Sequence, residues 1–212
     1  MKEIFSYNSD IDKTAYLNWR TNPHRHLSNL CVVAEGFMES SLQLIDVSLK
    51  DNRDKKADIL IYAVLFNVNH SIELYLKSII WALNLLLYKD ERFLTSHDLK
   101  SLYCNTIELI KEYEEISDLS DNPNLFNMFF GLPEYIFELY EKIENGTRID
   151  FSRYPFDKKF RPHFYIITTE NVVVDMENFY KRFKKIGHNL NCLSGYYIER
   201  WTEREEYKNE QL

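Results

Sequence analysis

Between residues 57 and 88 the chain carries apolar side chains on nearly every face of a helix, densely over residues 60–68 and again over 79–87. A helix without a polar stripe has no face to offer water, so it belongs at the centre of a domain or against a second subunit. Every other element has to be arranged around it. The two stretches here that lack Asp, Glu, Lys and Arg, residues 59–72 and 78–88, are shorter than the ~20 residues of a membrane span, and Glu73 and Lys77 interrupt them. No membrane-spanning helix is expected.

The rest of the sequence supplies covering helices. A chain of 212 residues buries roughly 70% of the surface it exposes when unfolded, so a core forms without a staple. Five Gly and five Pro leave few sites for tight hairpins and favour helices. Over residues 27–49, Leu30, Val33, Ala34, Phe37, Met38, Ser41, Leu42, Ile45 and Leu49 recur at helical spacing as one stripe, and the charged residues 50–58 form a connector. Ser96 is placed to cap a third helix to about residue 116, with Leu99, Leu102, Tyr103, Ile107 and Ile110 on its apolar side. That helix ends in Glu112, Glu114 and Glu115, against its dipole, so the end is expected to fray or meet a basic partner.

A Ser-Asp-Asn-Pro linker at residues 120–123 and the apolar run 125–130 precede Pro133, which opens a fourth helix stopped by Asn145-Gly146 and matched in length to the third. Residues 148–169, with Pro155 and Pro162, form a long ordered loop, and the β-prone Phe164-Tyr165-Ile166-Ile167-Thr168 suggests one short strand there. In the last helix, residues 172–201, the apolar positions Val172, Met176, Phe179, Phe183, Ile186, Leu190, Leu193 and Tyr197 alternate by four and three, the seam of helices packed at a shallow angle. The fold class is all-α, an up-and-down bundle of about five helices with one long loop. An irregular arm fills residues 1–26, the bundle residues 27–201 and a polar tail residues 202–212.

Cys31, Cys104 and Cys192 are odd in number, far apart and set among apolar neighbours, so they are expected as buried thiols in a reducing compartment. The start of the chain has no basic segment followed by an apolar core, and a cytoplasmic location follows. The Glu-x-x-His pairs of a di-iron bundle are absent, as are His-Glu-x-x-His, Cys-x-x-Cys, Gly-x-Ser-x-Gly and Gly-rich phosphate-loop motifs. No cofactor is expected and no metal ligand set is assigned; His24 and His26 belong to a solvated arm.

Residues 69–79, Asn69-His70-Ser71-Ile72-Glu73-Leu74-Tyr75-Leu76-Lys77-Ser78-Ile79, are an apolar helix carrying Glu, three residues, Lys. Ser96-His97-Asp98-Leu99 puts His-Asp-Leu at a helix start, Phe151-Ser152-Arg153-Tyr154-Pro155 puts Arg-Tyr-Pro in the long loop, and the last helix holds Arg182, five residues, then His188. These four ordered patterns resemble the HEPN superfamily, small helical domains of bacterial toxin, defence and RNA-cleaving systems, the Arg-Tyr-Pro loop being similar to that of some members. The resemblance implies a HEPN-like bundle and, in catalytic members, metal-free RNA cleavage by an Arg and a His usually completed across a homodimer. There an imidazole moves protons at the 2′-OH while a guanidinium holds the phosphate, leaving a 2′,3′-cyclic phosphate.

On that resemblance Arg182 and His188 are the candidate catalytic pair, with Glu73 and Lys77 beside them. Six residues advance about 240° around a helix, so the pair needs Gly187 to loosen the turn or a second copy to complete it. From the residues alone, Glu73 and Lys77 form an intrahelical ion pair, and His70 and His97 are hydrogen-bonded structural histidines. Residues 148–188 hold nine Lys and Arg against five Asp and Glu, a net of +4 in a chain whose total is −7. Arg153, Lys158, Lys159, Arg161, Lys181, Lys184 and Lys185 are therefore candidate RNA contacts, with Tyr154, Phe156 and Phe160 as stacking faces. A solvated helix face accounts for the same charges, and a carboxylate partner accounts for Arg153. Two functions stay open: an endoribonuclease of toxin–antitoxin or antiphage defence, acting as a homodimer with an antitoxin partner, or a non-catalytic adaptor for a nucleotidyltransferase, a nucleotide or a defence complex. A third possibility is a dimeric structural protein that pairs through Trp81 and residues 83–87.

Overall fold

The computed structural model describes residues 2–93, 95–116, 124–143 and 149–210. Among the described residues seven α-helices follow one another: α1 (His26–Lys50), α2 (Ala57–Leu86), α3 (Leu99–Ile116), α4 (Asn124–Asn127), α5 (Leu132–Lys142), α6 (Phe164–Ile167) and α7 (Met176–Glu210). Five are long, and α4 and α6 are single turns, so the architecture is the expected all-α bundle. The linker at 120–123 and the Asn145-Gly146 stop lie outside the described residues.

α2 is central, packed by α1, α3 and α7. By length and composition it could cross a membrane. In the bundle its second half is instead enclosed, with Val68, Ile72, Leu76, Ile79, Ile80 and Leu83 all buried. At its opposite end Ile59 and Tyr62 remain exposed, so the covering is uneven. The Trp81 side is occupied within the chain, since Trp81 packs against Phe93, His26 and the Arg92 guanidinium while Leu83 and Leu86 are buried.

α1 buries Ala34, Met38, Leu42 and Ile45, whereas Val33 and Leu49 of its stripe face solvent. Small hydroxyls let the backbones approach: Ser41 donates to the Val64 carbonyl at 3.0 Å and Ser71 to the Ala34 carbonyl at 2.7 Å. Gly187 makes the third contact, because a Cβ there would lie 2.7 Å from Met38 Cγ. α7 supplies Phe179, Phe183, Ile186, Leu190, Leu193 and Tyr197, the expected seam from Phe179 onward. Arg204 then closes the C-terminus of α2, donating to the carbonyls of Leu85 at 2.5 Å and Leu86 at 2.7 Å.

Several expectations change. α3 starts at Leu99, and Asp98 rather than Ser96 satisfies its first turn, accepting from the Ser101 amide at 2.6 Å while Ser96 Oγ accepts from the Asp98 amide at 3.0 Å. The acidic end of α3 is helical to Ile116, and Lys89 pairs with Glu112 at 2.5 Å. α5 has 11 residues against 18 in α3, so the two are unequal. Phe164–Ile167 is a turn of helix and not a strand: no neighbouring strand is present among the described residues to reward β-prone side chains. α7 begins at Met176 and continues to Glu210 through what was expected as a polar tail. Cys104 and Cys192 are exposed and only Cys31 is partly buried, its Sγ lying 3.0 Å from Ser194 Oγ.

Candidate functional site

Four polar residues of α2 share one face. Asn69, His70, Glu73 and Lys77 follow helical spacing, and toward them come the start of α3 and the loop before α6. Together these elements enclose a cleft of about 970 Å³. Its base is carboxylate chemistry. Glu73 Oε1 accepts from Lys77 Nζ at 2.8 Å and from His97 Nδ1 at 2.9 Å, while His70 Nδ1 lies 3.8 Å from Oε2. The Glu73 and Lys77 side chains are only 9% and 8% exposed. Burial pushes the Glu73 carboxyl up, but the contacts with His70 and Lys77 and the nearby Lys77 and His97 charges outweigh it and hold the group at about 2.

An ionised carboxylate only accepts, so Nδ1 of His97 carries the proton in this contact. The His97 side chain is 78% exposed and lines the cleft. His70 is held by rings, stacked 5.8 Å from Phe66 and edge-on at 4.7 Å to Phe37. Lys77 is backed by the Phe93 ring at 5.4 Å. One buried carboxylate thus organises two imidazoles and an ammonium.

Opposite stand the residues of the long loop. Phe151 is buried as the loop's anchor, and its carbonyl accepts from Tyr165 Oη at 3.0 Å. Anchoring there places the Arg153 guanidinium 5.5 Å from both the Phe66 and Tyr154 ring centres. Lys158, Phe156 and Phe160 complete that wall. At the α2 wall, Tyr135 Oη donates to Asn69 Oδ1 at 2.6 Å, which fixes the amide. Asn69 Nδ2 is buried and has no hydrogen-bond partner among the described residues. Burial also pushes the Tyr135 phenol up, so it stays a donor.

Of the residues expected to act, Glu73, Arg153 and Lys158 line this cleft, and Lys77 lies buried behind Glu73. Arg182 and His188 are elsewhere and apart within the chain. The Arg182 guanidinium contacts Glu138 at 3.0 Å and the Gly131 carbonyl at 3.4 Å. His188 lines a separate hollow of about 380 Å³ between α1 and α7, together with Lys184, and its Nε2 is 3.7 Å from Cys192 Sγ. Lys181 pairs with Glu177 at 2.7 Å, Arg161 with Asp157 at 2.6 Å, and Lys185 sits 4.3 Å over the Phe130 ring. Lys159 is exposed in the loop, its amide donating to Asp157 Oδ1 at 2.8 Å.

His70 and His97 are the functional candidates that periodicity did not single out. The position of His70 three residues before Glu73 was a usable signal; His97 joins Glu73 from 24 residues away. No family model, curated protein or solved structure matches this chain.

Proposed function

We propose that this protein is a metal-independent endoribonuclease of the HEPN type, serving toxin–antitoxin or antiphage defence, with its chemistry in the cleft above Glu73. One observation carries the reading: two imidazoles flank one ionised, buried carboxylate at the base of a cleft whose walls bring aromatic rings, Arg153 and Lys158 together with Asp98 and Asp157. The defence setting is supported by the sequence resemblance alone.

In this reaction His97 Nε2 takes the proton of a ribose 2′-OH, and the 2′-oxygen attacks the adjacent phosphorus. His70 delivers a proton to the departing 5′-oxygen. The products are a 2′,3′-cyclic phosphate and a 5′-OH end, and the two imidazoles exchange proton states overall. Glu73 holds the His97 tautomer and stabilises the imidazolium that forms. Arg153 and Lys158 counter the charge that builds on the phosphate, where fixed cations act most strongly.

The test is cleavage of total RNA in EDTA, with end-group analysis for cyclic phosphate. His97→Ala and His70→Ala should each lower the rate by about 10²- to 10⁴-fold. His188→Ala and Arg182→Ala serve as comparisons. Cleavage that depends on His188 and ignores His97 would assign the chemistry to the Arg182–His188 pair across a twofold axis. RNA that stays intact with the wild-type protein removes catalysis, and RNA held without cutting favours the adaptor function.

A further inference from the structure

Residues 155–163 double back over the cleft as a closed tip. The Asp157 amide donates to the Arg161 carbonyl at 2.9 Å, the Phe160 amide to the Asp157 carbonyl at 2.9 Å, and the His163 amide to the Pro155 carbonyl at 3.1 Å. Phe156 and Pro162 form an antiparallel bridge. The Asp157 carboxylate locks the turn, accepting from the amides of Lys159 and Arg161 at 2.8 and 3.0 Å and from the Arg161 guanidinium at 2.8 and 2.6 Å. Those Arg161 bonds hold the Asp157 carboxyl down at about 2, so the lock stays ionised at neutral pH.

Phe160 stands at the tip with φ of 58°, in the left-handed region that a residue bearing a Cβ avoids. Its side chain lines the cleft yet the residue is 80% exposed, and the ring stacks at 5.2 Å on Phe156 with planes 29° apart. Core packing gives no reason for this arrangement, since an exposed ring on a strained turn adds nothing to the bundle. Lys158 and Lys159 immediately precede it, and the His97–Glu73–His70 group lines the same cleft. A flat, uncharged group carrying a phosphate fits such a wall: the ring takes the flat part and the Lys158 ammonium the anion.

We propose that residues 155–163 are a rigid finger whose Phe160 ring stacks an unpaired nucleobase in the cleft. The inference rests on the function proposed above for the orientation of the strand, and on the finger alone for the stacking. The base belongs to a single-stranded segment or to a free nucleotide, and the two sources are separable. Base-paired strands present their edges and not their faces, so a duplex lacks the group the finger takes.

The probe is a hexanucleotide with 2′-O-methyl sugars, which lacks the nucleophilic hydroxyl, carrying 2-aminopurine at one position and fluorescein at its 5′ end. Binding to the wild-type protein is expected to quench 2-aminopurine. Phe160→Ala should abolish the quench and weaken binding about 5- to 100-fold, as loss of one stacked base does. Phe160→Trp should restore both, and Arg161→Ala, which opens the lock, should fall between. Because Phe160 is exposed, the Ala variant is expected to melt with the wild type, and a circular-dichroism melt checks this. A 2-aminopurine mononucleotide bound as tightly as the hexanucleotide identifies a free nucleotide as the source. Anisotropy that reports binding without quenching, binding of the Ala variant within twofold of wild type, or no binding of either probe overturns the finger. Quenching by a wild-type protein that leaves unmodified RNA intact removes the ribonuclease and keeps the finger. RNA cleavage unchanged by Phe160→Ala removes the finger and keeps the ribonuclease.

Discussion

Replacing Glu73 by Gln deletes the charge that every cation at the base of the cleft faces. Lys77 Nζ lies 2.8 Å from Glu73 Oε1, and the two side chains are 8% and 9% exposed, so the variant leaves an ammonium buried without a counterion. Breaking a buried pair from one side typically costs about 3–5 kcal/mol. Gln keeps one acceptor for Lys77, and the Phe93 ring at 5.4 Å retains a weak attraction for it, which favours the low end, about 3 kcal/mol. With a urea m value of about 2 kcal/mol/M, the unfolding midpoint should fall by ~1.5 M. Lys77→Met leaves a carboxylate that still has His97 at 2.9 Å, so its cost is smaller, about 2 kcal/mol. The Glu73→Gln/Lys77→Met double variant leaves neither charge, and it should unfold within about 1 kcal/mol of wild type, far from the additive value. Urea unfolding followed by circular dichroism measures all four proteins. Single variants that cost under 1 kcal/mol, or a double variant equal to the sum of its singles, would show that this pair behaves as a solvated surface pair and that the cleft base is not an electrostatic unit.

Three further outcomes follow from the packing and the charges. Gly187→Ala should cost about 1–3 kcal/mol, because its Cβ meets Met38 Cγ at 2.7 Å; in a Met38→Ala background the same change should become stabilising, since Ala is the better helix former, and an unchanged sign in thermal melts would refute the contact. Arg204→Met removes two charge-assisted bonds to the carbonyls of Leu85 and Leu86 and should lower stability by about 2 kcal/mol, a fall of roughly 4–8 °C in melting temperature. The pH dependence carries a definite sign. Glu73 has a folded value of about 2, below its unfolded range, so its contribution is full above pH ~4.5 and is lost as pH falls toward 2. Acid unfolding of Glu73→Gln should therefore be shallower than that of wild type over that interval, and parallel curves would contradict the assignment.

Much of the bundle was legible because burial leaves a local trace. The faceless apolar run of α2 marks the centre, and the four-and-three spacing from Phe179 to Tyr197 marks the seam of α7; both patterns are set by helix geometry within a few residues. The Glu73–Lys77 pair is legible for the same reason, being one turn apart. Local propensity failed where its reward comes from elsewhere. Phe164–Ile167 has strand-forming side chains and, among the described residues, no strand to pair with, and Lys89 meets Glu112 from 23 residues away.

The sequence by itself determined an all-α bundle wrapped on one apolar helix, with an ion pair inside that helix, because helical periodicity and i,i+4 proximity depend only on neighbours along the chain. Only the tertiary structure decided that His97 closes on Glu73 from the start of α3, that Arg153 faces them from the long loop, and that Arg182 and His188 stand apart in one chain. Those meetings depend on the angles at which helices pack and the paths of the segments between them. Such quantities are fixed by the sum of many contacts, and no short stretch of residues encodes them.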